Sequence, residues 1–258
     1  MNWLRVISYT VLTLLIIPIL VLLYEGFGPM RTASGFSSGV FRSIELTLLG
    51  STIAVLIAVV LYTPLAYYFA RTESTITQGI ADLPVSIPHP IVGIALLILV
   101  SPLTPLGRFL VYIGFDVFNT LLGYVICLVI VSAPIYIKAM MPFFESMNRS
   151  PENYAAGLGA SQLRRFVAIV LPNSGRGILS ASLISMSRGI SEYGSIAIIA
   201  YELLSRPFYG VSPISVLIVT EYEAANLGAA VTTSALMIVI SFAIMFVFRL
   251  FQRPIVRQ

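Results

Sequence analysis

The sequence predicts an all-α polytopic membrane protein with six transmembrane helices, and three observations carry that prediction. The 258 residues are 58% hydrophobic and only 10% charged, with a mean hydropathy of +0.96; soluble domains carry about 25% charged residues. Charge-free runs recur at lengths that suit a bilayer, which takes about 20 apolar residues per helix. The basic residues, all arginine except Lys138, fall unevenly between the segments that join those runs.

Taken in order, Val6–Tyr24 has 19 residues without a charge, Leu46–Ala70 has 25, Leu83–Gly107 has 25, Val117–Ile137 has 21 and Ala224–Phe248 has 25. Gly177–Ala200 is apolar apart from Arg188 and Glu192. Six spans, at about 6–24, 46–70, 83–107, 117–137, 177–200 and 224–248, would make 1–258 a single transmembrane domain. They leave no room for a soluble ATPase or ligand-binding domain. Val6–Tyr24 follows Arg5 but exceeds the 7–15 residues of a signal-peptide core, and no Ala-x-Ala-like site follows it, so a retained helix is expected. The single cysteine, Cys127, lies within an apolar run; it excludes an intrachain disulfide and reads as packing.

Net charge is +4. With a cytoplasmic N-terminus, the inner segments hold ten basic residues: Arg5, Arg71, Lys138, Arg149, Arg164, Arg165, Arg176, Arg249, Arg253 and Arg257. The outer ones hold four, Arg31, Arg42, Arg108 and Arg206. Positive charge is retained on the cytoplasmic side, so both termini and the segment 150–172 are expected there, in a multi-pass protein of the cell membrane. No contiguous basic face exists that would suit a nucleic acid.

The joins have their own signals. Gly26–Phe41 is a Gly/Ser-rich outer loop, and Arg71–Asp82 a short polar inner loop in which Glu73 and Asp82 face the cytoplasm. Segment three opens Leu83-Pro84-Val85-Ser86-Ile87-Pro88-His89-Pro90, and three prolines within seven residues cannot share one regular helix. That leaves Ile91–Ser101, about 16 Å of helix. Either the proline stretch sits at membrane depth, where irregular backbone must face protein or a water-filled cavity, or it is a kink at the cytoplasmic edge, which is the simpler reading. Val211–Thr220 is too short to span, and an outer interfacial helix is expected there.

Ser150-Pro151-Glu152 reads as a helix start, with Ser as N-cap, Pro at the first position and an acid in the first turn. That helix ends near Gly157 or Gly159. Ser161 can cap a second helix that carries Arg164 and Arg165 and stops before Pro172. The result is a small exposed knob. The window Glu152–Pro172 also has a particular spacing: Ala155, three residues, Gly159, nine residues, then Ile169-Val170-Leu171-Pro172. It resembles the "EAA" loop of the membrane subunits of ABC importers. The resemblance implies a type I importer permease fold, with Glu152, Asn153, Tyr154, Ala155, Ala156, Gly157, Leu158, Gly159, Ala160 and Ser161 docking on a separate ATPase. The loop departs from the consensus: Asn153 stands where the family has Glu, and Glu152 comes one residue early, so which acid meets the ATPase is open. Asp82–Leu96 and Arg188-Gly-Ile-Ser-Glu-Tyr-Gly194 are similar to molybdate/tungstate importer permeases. The second block is shared more broadly, including with sulfate importers.

The resemblance implies the partners: a second copy of the chain, two ATP-binding cassette subunits that hold ATP and magnesium, and an extracellular binding protein that delivers molybdate or tungstate. No cofactor is expected on this chain. It has no Gly-x4-Gly-Lys-Ser/Thr phosphate loop and no nucleophile–base–acid set, so neither ATP binding nor catalysis is expected of it. Pathway candidates are Pro88, His89, Pro90, Arg188 and Glu192. Arg188 and Glu192 stand four apart, hence on one helix face; charges in a span usually face the bundle interior. They read either as an internal ion pair or as an attractant for a passing oxyanion, the pair being the simpler reading. His89, the single histidine, is expected to be a hydrogen-bonded structural residue without partners for a metal. The competing readings are a sulfate or thiosulfate importer, a stand-alone ion-coupled carrier or channel, and a membrane-embedded enzyme. The carrier would need coupling-ion ligands, for which only Arg188 and Glu192 are candidates.

Overall fold

The computed structural model describes residues 2–72, 79 and 87–252. Glu73, Asp82, the start of the expected Leu83–Gly107 span, Arg253 and Arg257 lie outside the described residues. Among those described, the chain is helical, with one isolated antiparallel bridge between Leu203 and Val211.

Helix α1 (Asn2–Phe27) includes Pro18, and its apolar side chains up to Val21 are exposed, contact with the rest of the chain beginning at Leu22. Helix α2 (Ser38–Arg71) runs for 34 residues, about 51 Å. It begins eight residues before the expected start at 46 because the Ser37 hydroxyl accepts the Val40 N–H, a serine cap that the charged Arg42 and Glu45 do not interrupt. The outer loop is correspondingly shorter than Gly26–Phe41. Two helices replace the single span expected at 83–107: α3 (His89–Val100) and α4 (Pro105–Tyr112), bent 67° apart. Thr104 restarts the chain by accepting the Gly107 N–H at 3.0 Å, with Pro105 in the first helical turn.

Helix α5 (Leu121–Ser146) is capped by Thr120 and carries Pro134 and Pro142 within it. It continues nine residues past the expected end at Ile137, because Met140 and Phe144 beyond Lys138 are fully buried. Three shorter helices follow: α6 (Ser150–Gly157), α7 (Gln162–Asn173) and α8 (Gly175–Ile190), with 76° between α7 and α8. The fifth expected span, 177–200, is helical only to Ile190; after a break comes α9 (Ile196–Ile199). Helix α10 (Ile214–Glu223), where a short outer helix was expected, buries Ile214 and Val216 against the bundle and leaves Tyr222 and Glu223 exposed. Helix α11 (Leu227–Gln252) closes the fold. It meets α1 at Gly26, where a Cβ would lie 2.5 Å from the Ala235 Cβ; two backbones approach this closely only over small residues.

Among the described residues, four of these helices, α1, α2, α5 and α11, are long and apolar enough to cross a bilayer alone; if each of the two bent pairs, α3–α4 and α7–α8, is one span, the number is six. The core lies between α2, α5, α8 and α9. One cluster gathers Leu46, Tyr124, Leu128, Ile196, Ile199 and Leu203; a second gathers Tyr67, Tyr136, Met140, Phe144 and Val170. Outward positions such as Leu56, Val60 and Ile98 are apolar and exposed, the pattern of a protein whose solvent at that height is lipid.

Candidate functional site

Two places concentrate the sequence-derived candidates: the hairpin α6–α7 and the break between α8 and α9.

The hairpin forms as its residues dictate, with two differences. Helix α6 starts with Ser150 already inside it, and the Asn148 side chain accepts the Ser150 N–H at 2.9 Å; Asn148 therefore does the capping expected of Ser150. Gly159 leaves the helix at φ +82°, a left-handed conformation that glycine adopts without strain. Its neighbour Ala160 donates to the Ala155 carbonyl at 2.9 Å, closing the end of α6. Ser161 caps α7 through the Arg164 N–H, as the sequence predicts. The second difference is that α7 does not stop before Pro172. Residues Phe166–Val170 form a π turn, and the helix resumes over Leu171–Asn173. The wider turn carries the chain past the missing proline N–H, and the Asn173 side chain donates to the Ile169 carbonyl at 2.7 Å.

The exposed side of the hairpin is apolar at three places: Tyr154 is 76% exposed, Leu158 88% and Leu163 72%. Asn153, Ala156 and Gly157 lie on the same exposed surface, while Ala155 and Ala160 are half-buried. Glu152 is turned away from it. Its side chain is 7% exposed, and Oε1 accepts from Arg71 Nη2 at 2.7 Å. Oε2 accepts from the Tyr67 hydroxyl at 2.5 Å. The one-residue offset of Glu152 from the "EAA" consensus left its partner open, and the sequence carried no signal for the inward turn. Arg71 and Tyr67, which sequence reasoning did not single out, lie about 80 residues upstream.

At the second place, α8 ends one turn after Ser185, and Arg188 and Glu192 come together. Arg188 is in the last turn and Glu192 just past it, so the two are not on one continuous helix face, but Nη2 still reaches Oε2 at 2.5 Å. Arg188 Nη2 also lies 2.5 Å from His89 Nε2. A guanidinium only donates, so Nε2 accepts and the ring proton sits on Nδ1, which is 3.8 Å from Glu192 Oε2. Glu192 Oε1 accepts the Ser195 N–H at 2.9 Å. The Ser195 hydroxyl donates to the His89 carbonyl at 2.7 Å, and the Ser215 hydroxyl to the Glu192 carbonyl at 2.6 Å. Gly194 is packed on Pro90, where a Cβ would lie 2.9 Å from Cδ.

His89, Pro90, Arg188 and Glu192 therefore form one cluster, with Pro88 just before α3. It lies 13 residues along α8 from Gly175, about 20 Å. Of the proline stretch, Ile87–Pro90 are described, with His89 half-buried and Pro88 and Pro90 exposed; Leu83–Ser86, on which the expected kink also falls, lie outside the described residues. The Arg188–Glu192 contact is the internal pair that four-residue spacing suggested, with His89 as a third member. Beside it, a cleft of about 440 Å³ between α8 and α11 is lined by Ser180, Ser187, Ser191, Ser241, Met186 and Met245. Cys127 is fully buried in the core. Among the described residues, no three His, Cys, Asp or Glu side chains are grouped to hold a metal ion.

Residues 50–257 match the family model described as binding-protein-dependent transport system inner membrane component. The chain belongs to that family. Among curated relatives, the molybdate/tungstate transport system permease protein WtpB of Pyrococcus furiosus is 33% identical over 165 residues, 63% of this chain. The match spans 61% of that relative's length. The protein of the same name from Methanocaldococcus jannaschii is 30% identical over 83% of this chain and 82% of its own. The sulfate transport system permease protein CysT of Synechocystis is 26% identical over 97% and 88%. Among solved structures, a chain of a bacterial ABC transporter involved in the import of alginate superposes with a TM-score of 0.68 over 99% of this chain and 96% of that one. At 20% identity that likeness shows the fold. The family member described here is thus a multi-pass helical membrane protein with the expected importer-permease architecture.

Proposed function

We propose that the chain is the membrane-spanning subunit of an ATP-driven importer for molybdate or tungstate. Two copies form the pathway, and each docks one ATP-binding cassette subunit through α6 and the turn to Ser161. An extracellular oxyanion-binding protein delivers the anion to the outer mouth. ATP and magnesium stay on the partner, whose closure turns the pathway outward and whose product release returns it. The observation that carries the reading is the hairpin: a helix that leaves the bundle with Tyr154, Leu158 and Leu163 exposed while its root is fixed by a buried ion pair. Apolar side chains on a polar, turn-rich loop suit a protein groove. The molybdate/tungstate names of the relatives that match at 30–33% identity support the substrate class.

The test is to express the chain with its ATPase and delete Asn153–Leu158. The full chain is expected to co-purify with the ATPase and the deletion to insert in the membrane without it; a complex that survives the deletion refutes the docking assignment. A second reading, sulfate import, is favoured by the coverage of the Synechocystis relative, 97% of this chain. Uptake of radiolabelled tungstate against excess unlabelled sulfate separates the two, since a sulfate importer would show strong competition.

A further inference from the structure

Glu152 does more than anchor a loop. Its carboxylate joins α6 to the end of α2, and the two α2 residues it holds in turn contact α5 and α7. Arg71, at the end of α2, gives Nη2 to Glu152 and Nη1 to the Phe144 carbonyl near the end of α5, both at 2.7 Å. Tyr67, one turn earlier on α2, donates to the other carboxylate oxygen. The Tyr67 ring packs edge-on against Phe144, with centroids 5.5 Å apart, and at 5.1 Å against Phe166 of α7. The Arg71 guanidinium lies over that same ring. The chain entering the hairpin, the chain leaving it and the end of α2 are thus bolted together by buried, directional contacts. At the other end of this rod, Ser51 lies against Gly189, beside Arg188, and Thr47 Oγ1 accepts the Ile214 N–H at the start of α10. Ser51 and Arg71 are 20 residues apart on one continuous helix, about 30 Å.

We propose that the Tyr67–Arg71–Glu152 joint makes α2 the rod that carries displacement of α6 to the Arg188–Glu192 break. Glu152 is then a positioning residue that acts inside the chain and not on the ATPase. The inference rests on the docking role proposed for α6. It requires that weakening the joint leaves docking intact and loosens the coupling between ATP hydrolysis and transport.

The experiment uses the complete complex in proteoliposomes and measures ATP hydrolysis and anion uptake in the same sample. In Tyr67→Phe, a change on α2 outside the docking hairpin, ATPase co-purification and hydrolysis are expected to persist while anion imported per ATP falls about tenfold. Tyr67→Phe removes one hydroxyl only, and Arg71→Lys, which gives up the two-armed contact with Glu152 and the Phe144 carbonyl, serves as a second variant. Loss of uptake and hydrolysis in equal proportion, an unchanged ratio, or loss of the ATPase from the Tyr67→Phe complex would each overturn the proposal. A wild-type chain that binds no ATPase would instead overturn the docking role itself.

Discussion

Replacing Arg188 with alanine removes the cation that balances Glu192, whose side chain is 1% exposed. One carboxylate oxygen then keeps the Ser195 N–H at 2.9 Å, and the other loses its charged donor. Stranding one charge of a buried pair costs about 3–5 kcal/mol. Adding Glu192→Ala removes the stranded charge and leaves the Ser195 N–H without an acceptor, which costs about 1–3 kcal/mol. The double variant is therefore expected to be more stable than the single one. For chains of about 150–250 residues each kcal/mol moves the unfolding midpoint by about 2–4 °C, so Arg188→Ala should lower it by roughly 10 °C and the double variant by about half as much. The assay is the fraction of detergent-solubilised protein that stays monodisperse in size-exclusion chromatography after heating. An unchanged midpoint in Arg188→Ala, together with lost anion transport and no gain in the double variant, would refute the reasoning. It would make Arg188 a guide for the passing anion.

Two further outcomes test the fold and its orientation. Gly50→Ala puts a Cβ 2.3 Å from the ring of Tyr124, which is fully buried; overpacking of this kind costs about 1–3 kcal/mol, and the same heating assay should register it, whereas Gly175→Ala, with nothing within 4 Å, should be silent. With Cys127 replaced, Ser34→Cys is expected to react with an impermeant maleimide on intact cells and Gln162→Cys not to, and the opposite labelling would invert the orientation inferred from the arginines.

The apolar segments and the hairpin were legible in the sequence because they depend on local quantities. Charge-free runs locate the apolar segments, Ser161 has a cap's geometry available to it, and Gly159 permits the φ of +82° that ends α6. The break at Ser101–Thr104 was legible in part, since Pro102 closes Ile91–Ser101 and Thr104 caps the helix that follows. The break at Ser191–Ser195 was not, because the groups that hold it, His89 and Ser215, come from elsewhere in the chain. The ends of α2 and α5 were missed for the opposite reason. A charge at a helix end does not stop the helix, so Ser37 carries α2 through Arg42 and Glu45, and buried Phe144 draws α5 past Lys138. Glu152 shows the same limit: its spacing placed it on the hairpin, but which way it faces is decided by Tyr67 and Arg71, far off in sequence.

The cluster at Arg188 has an order of causes. A helix that ends inside a bilayer leaves polar backbone that no water can satisfy, and each such group must find a protein partner. At Ser191–Ser195 the partners are Glu192 Oε1 for the Ser195 N–H and the Ser215 hydroxyl for the Glu192 carbonyl. The Ser195 hydroxyl in turn donates to the His89 carbonyl and ties the break to the start of α3. A carboxylate is a stronger acceptor than a neutral group, but burial penalises its charge. Arg188 offsets that charge from one turn away, and His89 accepts a further bond from the same guanidinium. The pair is thus explained by the break, without a bound anion. It also follows that α3 and α8 cannot move apart without parting named bonds among His89, Arg188, Glu192 and Ser195. On the proposed reading, such bonds let a pathway wall hold one arrangement until the partner's work drives it to another.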